Sequence, residues 1–414
     1  MNQHRRWVSS QIGPNGAFFV PRVLRRLGRL EAAFSSLWYR PKSFKYRLLQ
    51  RFYWNAKSHH HVELADFPVE SLFWKRIYSE LYLKRGVSRD SLDAALISNH
   101  WYQKEVKRVL TSKRMRQLWD GPPGIFLSWS YIAKEVIPIF QQHGWKCVIM
   151  QLDGAAYEEE IVWRETERNP KLAPDWRRAP STYFDEWRQE CALADHMIAL
   201  SAWGAECLRQ SGVAYEKISV IPLASENEPR AGTHRQYPVQ FDTKRPLRVL
   251  FMGQMILRKG IAHLFEAIRR LQNMPIEFVF AGAVGVAVPS DIKAMPTVRL
   301  LGRVSREVVD QLYKESDIFI LPTLSDAYAI TQLEAMARGL PVMASRNCGE
   351  VVEDGVNGVL LKNVSAGEIA SELMALCETP ERLALMAKHC KVPNQCSFDS
   401  FGRSLVNLER RLYP

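Results

Sequence analysis

Two stretches of the 414-residue chain carry residue types that can do chemistry. The first is 321–341, LPTLSDAYAITQLEAMARGLP, in which seven residues separate Asp326 from Glu334. The apolar run from Asp317 to Leu321 stops at Pro322 and reads as a strand end. From about Tyr328 the pattern turns helical, with Leu333, Ala335, Met336 and Ala337 packing and Gly339 and Pro341 closing it. Ser325 and Asp326 are expected to cap the helix start through their side-chain oxygens. A helix start gathers unpaired N–H groups and the positive end of a dipole, which suits an anion. Carboxylates do not bind phosphate, so Asp326 and Glu334 call for hydroxyl partners. Together these features ask for a ligand with both a phosphate and a polyol, as in a sugar nucleotide.

The second stretch is 253–260, GQMILRKG, bounded by Gly253 and Gly260 and ending in Arg258 and Lys259. Glycines let a phosphate approach the backbone, and the two cations offset diphosphate charge. The stretch matches neither a P-loop nor GxGxxG. Each stretch alone is equally compatible with a plain strand-to-helix connection. About 75 residues apart in one α/β domain, they reinforce each other.

The elements that must position these residues alternate along the chain. Residues 6–12 read as a strand, 13–16 as a turn, and 18–30 as a helix with Val20, Val23, Leu24, Leu27 and Leu30 on one face. Arg22, Arg25, Arg26 and Arg29 fall on the other, which fits either a solvated basic face or a helix lying in a membrane interface. Residues 35–120 are aromatic and basic and read coarsely as helical. Within them, His59-His60-His61 suits a loop better than a metal site, and His100 stands alone. Strands are expected at 124–129, 146–152, 195–200 and 218–222, with helices at 131–143, 183–193 and 202–212 between them. Glu158-Glu159-Glu160 is expected to begin a solvated helix. Asp153 ends a parallel strand, so it is a candidate for contacting an acceptor, although turn or cap duty is the commoner role. Residues 224–246 are polar, carry three prolines and form the linker. A second series then runs from the strand 248–252 to the helices 366–377 and 380–389, and 396–414 is an amphipathic helix able to cross back. The organisation is α/β, with a first domain at 1–223, a linker at 224–246, a second domain at 247–395 and a returning helix at 396–414.

Composition narrows the function classes. No run approaches the ~20 apolar residues of a spanning helix, and no signal peptide is evident. The seven cysteines are scattered without a CxxC pair, against a zinc site or disulfide framework and in keeping with a cytoplasmic setting. Residues 1–120 hold 23 Lys and Arg against 9 Asp and Glu, a net +14, while the remainder is close to neutral. That basic third could face a phosphorylated acceptor, simply solvent, or anionic lipid, which would make the protein peripheral on a membrane's cytoplasmic face. It lacks a recognisable nucleic-acid motif, so no nucleic-acid partner is expected.

The second half resembles the retaining, GT-B-fold glycosyltransferases called group 1 or family 4. The resemblance rests on the 253–260 loop ending in Lys-Gly and on Asp326, seven residues, Glu334 and then Ala335-Met336-Ala337-Arg338-Gly339-Leu340-Pro341. Residues 351–361, VVEDGVNGVLL, are also similar, and 150–223 resemble bacterial members. The resemblance implies two Rossmann-like domains facing across a cleft. It implies transfer of a sugar from a nucleotide-diphosphate sugar to a hydroxyl acceptor, such as a glycolipid or polysaccharide precursor, with retention and without a cofactor. No Asp-x-Asp pair occurs, consistent with a metal-independent enzyme. By position, Lys259 and Arg258 would bind the diphosphate, with Gln254 after Gly253 where the family usually has arginine. Glu334 would hold the ribose, and Asp326 stands in place of the usual glutamate at the donor sugar. The amides of Ala329, Ile330 and Thr331 would cradle the distal phosphate, Arg303 and Val304 would lie near the base, and Gly13 and Gly16 match the N-terminal glycine loop. Asp326 and the alanines at 327 and 329 depart from the family's pattern, so a non-catalytic protein that keeps the fold is the alternative.

Overall fold

The chain folds around two parallel sheets, whose strands are continuous apolar runs because helices cover both faces. The computed structural model describes residues 4–39, 43, 59–72, 92–225 and 235–414. The first sheet contains β1 (Trp7–Gln11), β2 (Leu30–Ser35), β3 (Val69–Ser71), β4 (Ile125–Trp129), β5 (Lys146–Met150), β6 (His196–Ala199) and β7 (Ile218–Val220), in the order β3-β2-β1-β4-β5-β6-β7. The second contains β8 (Leu247–Met252), β9 (Ile276–Ala281), β10 (Val298–Leu300), β11 (Ile318–Leu321), β12 (Val342–Ser345) and β13 (Gly358–Leu361), in the order β10-β9-β8-β11-β12-β13. All neighbours pair in parallel. In each sheet the chain runs outward from its first strand and then returns to that strand's other side. The reversal opens a crevice at the carboxyl ends of β1 and β4, and another at those of β8 and β11.

One apolar cluster fills the first domain and continues through Ala327, Tyr328 and Leu333 on one face of the second sheet. A separate cluster packs that sheet's other face, around Phe251, Phe265 and Phe280. The linker expectation lies partly outside the described residues. Beyond that gap Arg235 is tied to the backbone carbonyls of Tyr313, Ser316 and Arg338.

Several local expectations are corrected. The first helix, Asn15–Arg26, is interrupted near its start by left-handed Gly16, Ala17 and Phe18, and it ends before Leu30, which opens β2. Gly28, at φ 66, makes the left-handed turn between them. The segment 35–120 is not purely helical, since Val69–Ser71 adds an edge strand beside β2. Within 131–143 only Ile137–Gln142 is helical. The basic face of the first helix is not simply solvated. Arg22 is fully buried, and it and Arg26 both bind the Glu63 carboxylate. Those hydrogen bonds, Arg26 first, pull the Glu63 carboxyl down to about 2 despite its partial burial.

The final helix, Phe398–Leu412, lies against the first domain. Phe401 meets Phe19 edge-on, with ring centroids 5.0 Å apart. Glu409 accepts the Trp7 indole N–H at 2.8 Å and pairs with Arg29. The Tyr413 hydroxyl donates to the Gly124 carbonyl at 2.8 Å. No helix among the described residues is long and apolar enough to cross a membrane.

Candidate functional site

The two chemistry-bearing stretches leave the adjacent strands β8 and β11 and are fastened together. Leaving β8, the chain makes a short 3-10 turn at Leu257–Lys259 and enters the helix Ile261–Arg270. Gly260 joins them at φ 71. A Cβ there would lie 1.8 Å from the Pro322 carbonyl oxygen, so only glycine lets the loops close on each other. The Arg258 carbonyl accepts from Leu324 N at 2.8 Å and from Thr323 Oγ1 at 3.1 Å. This backbone clamp turns both basic side chains toward the second loop.

There they meet carboxylates. Arg258 Nη1 donates to the Ser325 carbonyl at 2.8 Å and lies 3.7 Å from Asp326 Oδ2. The Lys259 ammonium contacts Asp326 Oδ2 directly. Burial and the neighbouring Arg258 push the Lys259 ammonium down from its ordinary value. The adjacent Asp326 carboxylate opposes that by favouring the charged form.

Ser325 and Asp326 do not cap the following helix. Their side chains are engaged elsewhere, and the helix Ile330–Met336 starts from Ala329 without a side-chain cap. Ala329 is left-handed, at φ 63, a strained conformation for a residue with a Cβ. The turn is held from below, where the buried Gln332 donates to the carbonyls of Tyr328 at 2.6 Å and Gly349 at 2.9 Å. Thr331 is half-buried, and the Ile330 side chain is exposed. Glu334, farther along the helix, accepts from the Tyr313 hydroxyl at 2.9 Å. The side chains of Gln254 and Arg303 are exposed, and Gly253 and Val304 are partly buried.

The first domain supplies the facing wall. Gly13 and Gly16 follow β1 with φ of 78 and 56, and Gly13 N donates to Ser36 Oγ at 3.1 Å. Asp153 Oδ1 accepts from the Tyr131 hydroxyl at 2.6 Å, from Gln151 Nε2 at 2.8 Å and from Ala155 N at 3.0 Å. Thus Asp153 organises the start of the helix Ala155–Arg168.

Glu158 was missed in the sequence as a site residue. It lies in that helix's first turn, and its side chain is only 12% exposed, contrary to the solvated reading of the Glu158–Glu160 run. Its Oε2 accepts from Ser325 Oγ at 2.7 Å and stands 3.5 Å from Arg258 Nη1. Trp203 Nε1 also donates to Ser325 Oγ, at 3.0 Å, and Ser201 Oγ donates to the Ala327 carbonyl at 2.7 Å. Each of these contacts crosses from one domain to the other. A usable signal existed: Glu158 is the glutamate of the run nearest the carboxyl end of β5, where ligands gather. Among the described residues no group of three His, Cys, Asp or Glu is placed to hold a metal ion.

Two parallel-sheet α/β domains meeting across a cleft define the GT-B architecture. Solved structures share it along nearly the whole chain. HepE from Anabaena, solved with UDP and glucose, superposes with a TM-score of 0.58 at 15% identity, covering 98% of this chain and 99% of that one. Sucrose-phosphate synthase from Thermosynechococcus elongatus gives 0.65 at 14% identity, covering 99% of each. Residues 246–379, most of the second domain, match the family described as "Glycosyl transferases group 1". The amylovoran biosynthesis glycosyltransferase AmsK of Erwinia amylovora is 27% identical over 224 residues, 49% of this chain and 52% of that protein. An uncharacterised glycosyltransferase of Methanocaldococcus jannaschii is 30% identical over 140 residues, 32% of this chain and 35% of that protein. The matched regions thus span about a third to a half of these relatives' length.

Proposed function

We propose that the protein transfers a sugar from a nucleotide-diphosphate sugar to a hydroxyl acceptor, with retention at the anomeric carbon. The observation that carries this reading is the fastening of the Arg258–Lys259 turn to the loop bearing Asp326, at the crevice between β8 and β11. Relatives named as glycosyltransferases, and a structural neighbour solved with UDP and glucose, support it.

In this reading the donor diphosphate lies over Arg258 and Lys259, its distal phosphate facing the amides of Ala329 to Thr331. Glu334 accepts from the ribose hydroxyls, and Asp326 from the transferred sugar. As the bond between the anomeric carbon and the phosphate oxygen breaks, its electron pair leaves with the diphosphate. The two cations stabilise that charge, so in this reading no divalent ion is required. The acceptor hydroxyl forms the new bond on the same face, and its proton passes to the departing phosphate. The expected acceptors are hydroxyl groups such as those of a glycolipid or polysaccharide precursor, entering from the Asp153 side.

The test is a panel of nucleotide sugars in a thermal-shift assay, because a donor that binds only the folded chain raises its melting temperature. At least one should do so, and Lys259→Ala should abolish the shift. A panel in which no nucleotide sugar or nucleoside diphosphate shifts the transition overturns the reading.

A further inference from the structure

The cations assigned to the donor are already occupied by the protein's own carboxylates. Asp326 comes from the same domain. Glu158 crosses the cleft, and its position is built rather than incidental. It lies in the first turn of the helix Ala155–Arg168, where the helix dipole favours a negative charge. Ser325 Oγ fixes one carboxylate oxygen at 2.7 Å and Arg258 faces the same oxygen at 3.5 Å. Gly154 lets the two backbones come this close, since a Cβ there would meet Ser325 Oγ at 3.0 Å and the Glu158 side chain at 2.7 Å. Arg258 and Lys259 against Glu158 and Asp326 make a quartet with no net charge. A diphosphate brings at least two more negative charges into that quartet, so one carboxylate has to give way.

We propose that Glu158 is an internal competitor for the donor's diphosphate, holding Arg258 and yielding it when a nucleoside diphosphate arrives. This inference rests on the donor site of the proposed function and adds a residue from the opposite domain to it. Of the two carboxylates, Glu158 is the one that can leave with its own domain. Asp326 belongs to the loop clamped onto Arg258. Burial raises the Glu158 carboxyl above its ordinary value, with Asp153 adding to the rise and Arg258 opposing it, so protonation offers a second way to remove its charge. The groups facing it are Arg258 and Lys259 after β8, Ser325 and Asp326 after β11, Asp153 after β5, and Trp203 and Cys207 on the helix Ala202–Gln210.

The experiment is calorimetric titration of the full chain with UDP, ADP and GDP at pH 6 and pH 8. It compares wild type with Glu158→Gln, which keeps the shape and removes the charge, and with Ser325→Ala, which removes the anchor. The diphosphate that binds wild type best should bind Glu158→Gln roughly fivefold more tightly at pH 8, equivalent to about 1 kcal/mol. The gain should be no larger at pH 6 than at pH 8, because burial makes the wild-type Glu158 carboxyl take up a proton more readily than an ordinary glutamate as pH falls. Ser325→Ala should bind more tightly than wild type by a smaller factor, and it carries the test if Glu158→Gln does not fold. A merely structural glutamate predicts the opposite sign, because loosening the cleft would weaken the ligand. Unchanged or weaker binding in the folded variants overturns this inference alone. Absence of diphosphate binding in all three proteins overturns both it and the proposed function.

Discussion

Lys259 and Asp326 form a contact ion pair that joins the loop after β8 to the loop after β11. Their side chains are 14% and 13% exposed, so removing one partner strands a charge in a place that water reaches poorly. Asp326→Asn should cost about 3 kcal/mol of stability, measured by chemical denaturation. It should also free Lys259 for phosphate, so a nucleoside diphosphate binds more tightly while sugar transfer falls by roughly a hundredfold. Normal turnover in this variant would remove Asp326 from the chemistry.

Glu334 is assigned to the ribose and not to the phosphates, which separates two ligands. Glu334→Ala should weaken a nucleoside diphosphate by about tenfold or more, the value of hydrogen bonds to a charged acceptor. Inorganic diphosphate, which has no ribose, should bind as it does to wild type. Parallel loss of both ligands would point instead to a collapse of the helix Ile330–Met336.

Gly260 has no tolerated substitute. A methyl group there meets the Pro322 carbonyl and holds a left-handed backbone at φ 71. Gly260→Ala should lower stability by about 2 kcal/mol or more, read as a lower urea midpoint with an unchanged slope. A change under about 0.5 kcal/mol, the range of ordinary surface substitutions, would mean that the loop relaxes freely.

Glu190 gives a stability signature in pH. It is buried behind the loop after β4 and accepts from the amides of Tyr131 at 2.6 Å and Ala133 at 2.5 Å. Burial outweighs those bonds and pushes its carboxyl up to about 7, from an ordinary 4.5. Between those values the folded chain keeps a proton that the unfolded chain has released. Stability therefore falls as pH rises through that window, by about 3 kcal/mol at most for this group. Below about 4.5 both states are protonated and the group adds no pH dependence. Wild type should lose more melting temperature between pH 5 and pH 7.5 than Glu190→Gln does, and equal slopes would show that Glu190 stays ionised throughout.

Much of the second domain was legible because its strands are uninterrupted apolar runs and its helices carry clear stops. Gly339 at φ 66 and the two helices at 366–378 and 380–389 are examples. The juxtaposition of 253–260 with 321–341 was also legible, since both follow strands of one parallel sheet. The partners of individual charges were not. Along the sequence Glu158 differs from Glu159 and Glu160 only in lying nearest the end of β5, and its contacts come from Ser325 and Arg258 in the other domain. Ser325 had every local qualification for a cap, yet a carboxylate 167 positions away claimed its hydroxyl. In the same way, Arg22 had the spacing of a surface arginine, and only the fold brought Glu63 to it.

The closing helix Phe398–Leu412 has a consequence for synthesis. Trp7 and Arg29 share an acceptor in Glu409, which is made about 380 residues after Arg29. On the ribosome the first sheet therefore emerges, pairs its strands and still waits for the whole second domain before its outer face is covered. Where the chain first leaves that sheet, Ser225 N donates to the carbonyl of Cys396 at 2.8 Å, so the outgoing and returning strands of the polypeptide touch. A nascent chain stalled or cleaved before residue 398 would present the Trp7 side of its first domain to solvent and to chaperones. With the helix Phe398–Leu412 in place, that side is covered.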